Sequence, residues 1–289
     1  MRKTLLAATL ATAAFAVPNL AAAQAAAAPA AAPASPHTIT GNVGLFSSYR
    51  FRGIDQTFGK PALQGGVDYS HSSGFYAGNW NSNVNQGAGF PGGNLEMDFY
   101  GGWKGSWGDW GLDLGGIYYY YPGTNAGPTI PFSPASNIAP TFRVASGRVD
   151  NTELYLGGSW KFISLKYYHS VNDYFSAPDT KNSHYLDFGA TYDLGDGWGI
   201  TGHVGSLKMK NMNNGSYSDW KLGVTKDIGG WVFAASYIDT NAKGSCSPTA
   251  VNQFYCFSNG STNPANATGF DKVKDAGRST VVVSVSKTF

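Results

Sequence analysis

The sequence predicts an all-β fold: a transmembrane antiparallel up-and-down β-barrel of about 12 strands, with short turns at one end and long loops at the other. Three observations predict it. Apolar and polar residues alternate in segments of roughly ten residues. The polar stretches between these segments are alternately short and long, and the chain ends on an aromatic residue in phase with a final alternating segment.

The composition excludes several classes of protein. The 289 residues include 38 glycines, 15% are aromatic and only 13% are charged, which is typical neither of a disordered chain nor of an average soluble domain. After the N-terminal region no apolar run approaches the roughly 20 residues of a transmembrane helix, which excludes a polytopic helical protein. Lys and Arg number 20 against 18 Asp and Glu, so we expect no nucleic-acid partner.

The N-terminal region has the pattern of a secretory signal peptide. Arg2 and Lys3 precede an apolar stretch at residues 5–17, and small residues precede Gln24. A membrane-anchoring helix is the alternative, but no stop-transfer pattern follows. We therefore predict a signal peptide at residues 1–23, a disordered Ala/Pro-rich leader at residues 24–37 and a barrel at residues 38–289.

Each predicted strand divides its residues between an apolar and a polar face. In the first, Val43, Tyr49 and Phe51 lie opposite Arg50. In the third, Trp80 belongs to the apolar face and a row of asparagines to the polar face. The predicted strands are residues 38–52, 61–70, 75–84, 94–105, 110–121, 151–161, 162–171, 183–194, 198–207, 217–226, 231–239 and 277–289.

The connections between these strands are of two kinds. Short ones carry the Gly and Asp of tight hairpins, as at residues 195–197 and 227–230. Long ones, such as residues 122–150 and 240–276, alternate with them. Strict alternation with both termini at the short-turn end is typical of an outer-membrane barrel with periplasmic turns and extracellular loops, and not of a soluble sandwich.

Aromatic residues cluster near the predicted strand ends. Tryptophans beside short turns fit one interfacial girdle, and tyrosines at the opposite ends, Tyr49 among them, fit the other. The alternative is that these rings fill an ordinary core. The tryptophans are Trp103, Trp110, Trp160, Trp198 and Trp231, and the other tyrosines are Tyr118, Tyr120 and Tyr167.

Two cysteines, Cys246 and Cys256, lie in one polar segment. In an exported protein oxidation is the default, so we predict that they form a disulfide. Metal binding by these two thiolates lacks supporting ligands nearby. We expect no metal site and no cofactor.

The N-terminal strands carry a resemblance to a known family. Residues 46–57, 60–69, 73–76 and 81–84 resemble the TorF family of porins of Gram-negative bacteria, most specifically in the Tyr-Arg-Phe-Arg-Gly element at residues 49–53 and the strand at 61–69. Asp55 departs from the small hydroxyl residue expected in that family. The resemblance implies a barrel in the bacterial outer membrane.

The last segment, residues 280–289, resembles the C-terminal strand signal of outer-membrane proteins. Phe289 stands in phase with Val281, Val283 and Val285. The resemblance implies that Phe289 is an assembly signal recognised by the barrel-assembly machinery, with outer-membrane lipid and lipopolysaccharide as the surroundings of the folded protein.

The polar faces carry the residues that we expect to line a pore. Carboxylate rings favour cations, but opposed charges in a narrow barrel also pair and fill it, and both alternatives stay open. The expected pore-lining residues are Arg50, Glu96, Asp98, Glu153, Asp187, Asp219 and Arg278 near the extracellular end, and Lys104 and Lys166 nearer the short turns.

A passive channel for small hydrophilic solutes or ions is the function that this pattern favours. A closed structural or adhesive barrel whose loops bind a partner is the first alternative. The second is a lipid-modifying enzyme, for which His169 and His184 are placed to face each other across a hairpin near the outer rim. No serine is in phase with them, and the common catalytic motifs are absent from the sequence, so we expect no enzyme.

Overall fold

The structure is a computed structural model that describes residues 35–125, 130–131, 141–142, 147–247, 249–250, 253–258 and 272–289. The predicted signal peptide and most of the predicted leader lie outside these residues, as do parts of two long loops. In the described part of the chain no helix has both the length and the apolar character needed to cross a membrane.

Twelve antiparallel strands form a closed barrel, which confirms the predicted fold class. Each strand pairs with its neighbours in sequence, and the first strand closes the barrel by pairing with the last, from Asn42 opposite Thr288 to Phe46 opposite Ser284. The barrel strands are β1 (His37–Phe46), β2 (Ala62–His71), β3 (Phe75–Asn83), β4 (Leu95–Trp107), β5 (Trp110–Tyr120), β6 (Asp150–Trp160), β7 (Ile163–Ser170), β8 (His184–Gly195), β9 (Trp198–Lys208), β10 (Tyr217–Ile228), β11 (Trp231–Thr240) and β12 (Thr280–Thr288).

The two ends of the barrel differ as predicted. At one end, called the short-turn end, the strands are joined by two or three residues. Gly229 and Gly230, with φ of 62° and 82°, form one of these hairpins because they adopt positive φ at little cost. All the long connections lie at the other end, called the long-loop end.

The outer surface of the barrel is mostly apolar. Val204 on β9 is 58% exposed, and Leu222 on β10 is 57% exposed. Trp110, Trp198 and Trp231 lie exposed near the short-turn end. Because these rings are outside the barrel, they do not form an ordinary core, and their placement is that of an interfacial girdle.

The first predicted strand is shorter than expected. β1 ends at Phe46, and residues 48–59, called the plug, turn into the barrel instead of continuing along its wall. Arg50–Phe51 pairs with Ile54–Asp55 around a tight turn in which Arg52 has φ 49° and Gly53 has φ 78°.

The inward course of the plug corrects the positions expected for two aromatic residues. Tyr49 and Phe51 are 5% and 6% exposed, inside the barrel, so neither faces lipid and Tyr49 is not part of a girdle. Tyr49 packs edge-on against Trp80 of β3, and Phe51 against Tyr119 of β5. The apolar alternation of this segment therefore reflects burial within the barrel.

β3 presents the opposite face from the one predicted. Trp80 points inward and is 4% exposed, whereas Asn79 and Asn81 lie on the lipid side. The inward contacts explain the choice, because Trp80 packs on the plug and the Tyr76 hydroxyl donates to Asp113 Oδ1 at 2.6 Å. The outward amides partly satisfy each other, with Asn81 Nδ2 donating to Asn79 Oδ1.

The predicted disulfide between Cys246 and Cys256 is present. It lies in the long loop between β11 and β12. In that loop Cys256–Ser258 pairs with Val273–Asp275, so the disulfide braces a small two-stranded sheet above the barrel.

Candidate functional site

The plug is anchored by a buried ion pair across the barrel. Arg52 donates from Nη2 to Glu153 Oε2 at 2.7 Å and from Nη1 to Oε1 at 3.0 Å, and both side chains are 0% exposed. The Tyr119 hydroxyl donates to Glu153 as well, at 3.1 Å. On the far side, the Tyr217 hydroxyl donates to the Arg52 carbonyl oxygen at 2.8 Å. The plug thus contacts β3, β5, β6 and β10, and it crosses the lumen.

Aromatic rings surround the Arg52 guanidinium. Its Cζ lies 4.3 Å from the centre of the Tyr185 ring and 5.2 Å from that of Tyr168. Burial by itself would lower the pKa of Arg52, but the adjacent Glu153 carboxylate outweighs it and raises that pKa well above its ordinary value. Arg52 is therefore charged at every physiological pH.

A second set of charges, called the latch, ties the plug to the disulfide-braced loop. Lys274 Nζ lies 2.7 Å from Asp55 Oδ2, and Arg50 Nη2 lies 3.7 Å from the same atom. Arg50 also donates to the carbonyl oxygens of Ala276 and Arg278. Burial would raise the pKa of Asp55, but the Arg50 charge and the hydrogen bond from Lys274 lower it below its ordinary value. The latch consists of Arg50, Asp55 and Lys274.

A histidine links two carboxylates in the same half of the barrel. His203 Nδ1 lies 3.0 Å from Asp187 Oδ1, and Nε2 lies 3.1 Å from Asp219 Oδ1. The Tyr185 hydroxyl donates to Asp219 at 3.0 Å. These polar groups occupy the interior beside Arg52.

Glu96 and Asp98, on β4, are also buried, but unlike the carboxylates above they have no cationic partner among the described residues. They are 0% and 6% exposed, and neither takes part in an ion pair within the described chain. The Tyr121 hydroxyl donates to Glu96 Oε1 at 2.8 Å. The oxygens Glu96 Oε2 and Asp98 Oδ1 are buried without a hydrogen-bond partner.

The short-turn half of the lumen is accessible to solvent. Lys166 Nζ lies 2.7 Å from Asp113 Oδ2, and these side chains are 19% and 30% exposed. Lys104 lies over the Tyr76 ring, at 5.0 Å from its centre. Because these side chains point inward, their exposure is to the lumen. The interior is therefore filled near the long loops and open to water near the short turns.

Comparison with known proteins supplies a family. Residues 30–289 match the profile of a family described as "Bacterial protein of unknown function (Gcw_chp)". The chain belongs to the Gcw_chp family. No curated protein matches this Gcw_chp chain.

Solved structures with a similar barrel include the KdgM porin, with a TM-score of 0.48 and 8% sequence identity. The alignment covers 87% of the Gcw_chp chain and 98% of the KdgM chain. The CymD monoaromatic hydrocarbon channel has a TM-score of 0.41 and 12% identity, and the alignment covers 88% of each chain. OmpT of Vibrio cholerae has a TM-score of 0.38 and 10% identity, and the alignment covers 88% of the Gcw_chp chain and 97% of the OmpT chain. At TM-scores below 0.5 these likenesses carry no argument about function, which has to come from the geometry.

The Gcw_chp barrel brings together many of the residues expected to line a pore, but in different settings. Arg50 lies in the plug, and Arg278 lies exposed on the long-loop rim, where only its carbonyl oxygen meets Arg50. The remaining expected residues point inward from barrel strands: Glu96, Asp98, Lys104, Glu153, Lys166, Asp187 and Asp219.

Sequence reasoning missed the central role of Arg52 and the pairing of Arg50 and Lys274 with Asp55 in the latch. The one local signal was Gly53 directly after Arg52, since glycine inside an alternating segment indicates a tight turn or bulge. Glu153, the partner of Arg52, is 101 residues away along the chain, and Lys274, the partner of Asp55, is 219 residues away. Nothing local indicates either partner.

The two histidines considered for catalysis lie on the outer face, opposite each other in register. His169 Nδ1 is 3.2 Å from the Tyr167 hydroxyl, and its Nε2 is 3.3 Å from Asn182 Oδ1. Both ring nitrogens of His169 are thus engaged in local hydrogen bonds.

Proposed function

We propose that this Gcw_chp protein is a porin-like channel of the bacterial outer membrane for passive diffusion of small hydrophilic solutes or ions. The observation that carries the proposal is a charged, water-accessible lumen inside a closed barrel whose outer surface is apolar and girdled by tryptophan. The resemblance of residues 46–69 to TorF-type porins agrees with it. The plug closes the extracellular mouth in the conformation described.

The proposal includes an orientation and a route to the membrane. The signal peptide at residues 1–23 exports the chain, and the short-turn end faces the periplasm. Phe289, 69% exposed at that end, is the residue that the barrel-assembly machinery recognises. The apolar band then contacts outer-membrane lipid and lipopolysaccharide.

Passage through this channel requires the plug to move. Breaking a buried ion pair such as that of Arg52 and Glu153 costs about 3–5 kcal/mol when one partner is left uncompensated. The latch and the aromatic contacts of the plug would break as well, so the open state is a minor state of the protein. Rare, discrete openings are therefore expected.

The decisive test is single-channel recording of the mature chain, residues 24–289, refolded into a planar bilayer. The expected result is discrete, salt-dependent current steps that are rare in the native protein and more frequent in Arg52→Ala, because the plug loses its central anchor. Asp109→Asn, in an exposed short turn, should behave as the native chain. A correctly folded barrel that stays silent in all three proteins would contradict the channel.

A second candidate, a closed barrel that binds a partner through its long loops, is favoured by one observation. Arg52 and Glu153 are wholly buried, so the mouth is filled in the conformation described. In that case silent bilayers with Arg52→Ala are the expected result, and the loops would be tested by binding of cells or surface polymers to the folded protein.

A further inference from the structure

The filled half of the barrel contains more acid than base. Arg52 neutralises Glu153, and His203 is shared by Asp187 and Asp219. Lys221 lies in the electrostatic field of the same two aspartates. The inward carboxylates of this half are Glu96, Asp98, Glu153, Asp187 and Asp219. Glu96 and Asp98 therefore remain without a cationic side chain as partner in the described structure.

The placement of Glu96 and Asp98 makes this imbalance costly. They stand two residues apart on the inward face of β4, so their charges repel each other. Each has a buried oxygen that accepts no hydrogen bond, Oε2 in Glu96 and Oδ1 in Asp98. A desolvated carboxylate pair is neutralised either by a bound proton or by a cation supplied from outside the chain.

The surroundings of the pair offer further oxygen atoms. Tyr121 contacts Glu96 through its hydroxyl, and Tyr49 of the plug lies in the electrostatic field of the same carboxylate. Asp98 lies in a cross-strand row with Tyr119 and Asn151. Asn151 is 0% exposed, and both polar atoms of its side chain lack a hydrogen-bond partner. These groups are the oxygen ligands that hard cations prefer.

We propose that Glu96 and Asp98 form a cation-binding site beneath the plug. The ligand is a small hard cation held by the two carboxylates and the tyrosine hydroxyls. In the described residues no three His, Cys, Asp or Glu side chains converge. The cation of this proposal is an exchangeable one. The inference rests on the proposed function in one respect: the cation enters through the open half of the lumen, and cations are then the solutes that the channel selects.

The site is tested first with Tb³⁺, which binds oxygen ligands as Ca²⁺ does and luminesces near an excited Tyr or Trp. Trp80 lies opposite Asp98 in register, and the Tyr121 hydroxyl donates to Glu96, so both aromatic residues are donors of excitation energy. We expect saturable emission from the folded protein in detergent, which Ca²⁺ competes away. In Glu96→Gln/Asp98→Asn the affinity should fall by about tenfold or more because the site loses its charge.

Asp109→Asn is the control, since Asp109 is an exposed carboxylate in the turn between Trp107 and Trp110, where surface-bound Tb³⁺ would also luminesce. Emission that does not saturate, equal affinity in the double variant, or an equal loss in Asp109→Asn would overturn the site. Folding of each variant is checked by circular dichroism and heat-dependent gel mobility. If the double variant does not fold, Glu96→Gln alone decides, with the same expected direction.

Recording in a KCl gradient separates failure of this inference from failure of the channel. If the native protein binds Tb³⁺ and conducts, the double variant should shift the reversal potential toward that of Cl⁻. A protein that binds Tb³⁺ but conducts nothing contradicts the channel and leaves the cation site. A protein that conducts without binding Tb³⁺ overturns the site and leaves the channel.

Discussion

Arg52 shows how one side chain links the plug to the barrel wall. Its planar guanidinium makes two parallel hydrogen bonds to Glu153 while its face stacks on Tyr185. Lysine has the same charge but neither the fork geometry nor the planar face, so it could not replace both contacts. Arg52 thus anchors the plug to the barrel wall, and the turn at Arg52-Gly53 orients its side chain toward Glu153.

Asp55 makes the plug sensitive to acid. Its pKa is lowered in the folded protein, so its stabilising contribution is complete above the unfolded value, about 3.9, and is lost as the pH falls through the lower folded value. Arg50 and Lys274 then lose the charge of their common partner. Ser48 and Thr57, which also contact Asp55, have no group that ionises in this pH range. We predict that channel openings become more frequent as the pH is lowered through this range.

The measurement is the opening frequency from neutral to acidic pH in the native protein and in Asp55→Asn. The variant should open more often at neutral pH and should lack this component of the pH dependence, because it has no carboxyl group to protonate at residue 55. Identical pH profiles in the two proteins would show that the latch does not hold the plug.

At the scale of the element, β3 shows why alternation alone does not assign faces. Its apolar positions, Tyr76 and Trp80, contact the plug and polar groups of the lumen, whereas Asn79 and Asn81 face lipid between exposed residues such as Phe99. The alternation of apolar and polar residues in β3 is the same whichever face points to lipid. The plug, which occupies the lumen beside β3, decides between them.

Trp80→Ala tests this orientation. Removing a large buried ring should lower the free energy of unfolding by about 3–5 kcal/mol, as for other buried aromatic residues, and should raise the opening frequency by freeing Tyr49. Phe99→Ala, on the neighbouring strand but facing lipid, should cost clearly less. Unfolding in denaturant from lipid vesicles measures both, and equal losses would place Trp80 on the outer face.

The disulfide belongs to an element that acts on the plug. Cys256 begins one strand of the small sheet whose other strand carries Lys274, so the Cys246–Cys256 bond braces the loop that holds the latch. We predict that Cys246→Ser/Cys256→Ser opens more often than the native protein but retains the barrel, because the twelve barrel strands do not include these residues.

Opening frequency and β-sheet circular dichroism measure the two halves of this prediction. Treatment of the native protein with a reductant should reproduce the effect, and the double variant should not respond to it. An unchanged opening frequency after reduction would mean that the loop holds Lys274 without the bond.

At the scale of the whole molecule, the distribution of side chains is the reverse of that in a soluble protein. Apolar residues cover the outside, and charged residues and tyrosines fill the inside. β1 and β12 close the barrel, and Phe289 bonds through its backbone to Gly41 at the short-turn end. Its ring is exposed and makes no contribution to the interior.

Phe289→Ala should therefore affect assembly and not stability. We predict reduced amounts of folded protein in the outer membrane of cells, while the purified variant refolds into detergent with nearly native thermal stability, since an exposed ring contributes little to it. Val281→Ala, also outward on β12, is the matched control. Equal amounts of Phe289→Ala and native protein in the membrane would contradict the assembly signal.

The sequence by itself determined the barrel, its strand number, the alternation of turns and loops, and the disulfide. These features are local or repeated: each strand carries its own period of two, and each hairpin its own Gly or Asp. It also indicated an inward face for residues such as Glu153 and Lys166. Because a barrel needs each strand only to match its neighbours, errors of one or two residues at strand ends do not change it.

Only the tertiary structure decided the course of residues 48–59, the orientation of β3 and the partners of the charges. The plug turns inward because Arg52 finds Glu153 and aromatic rings inside, at positions distant in sequence. The same apolar alternation would have suited a lipid-facing strand. The free energy of a buried ion pair depends on geometry across the barrel, and no local pattern contains that geometry.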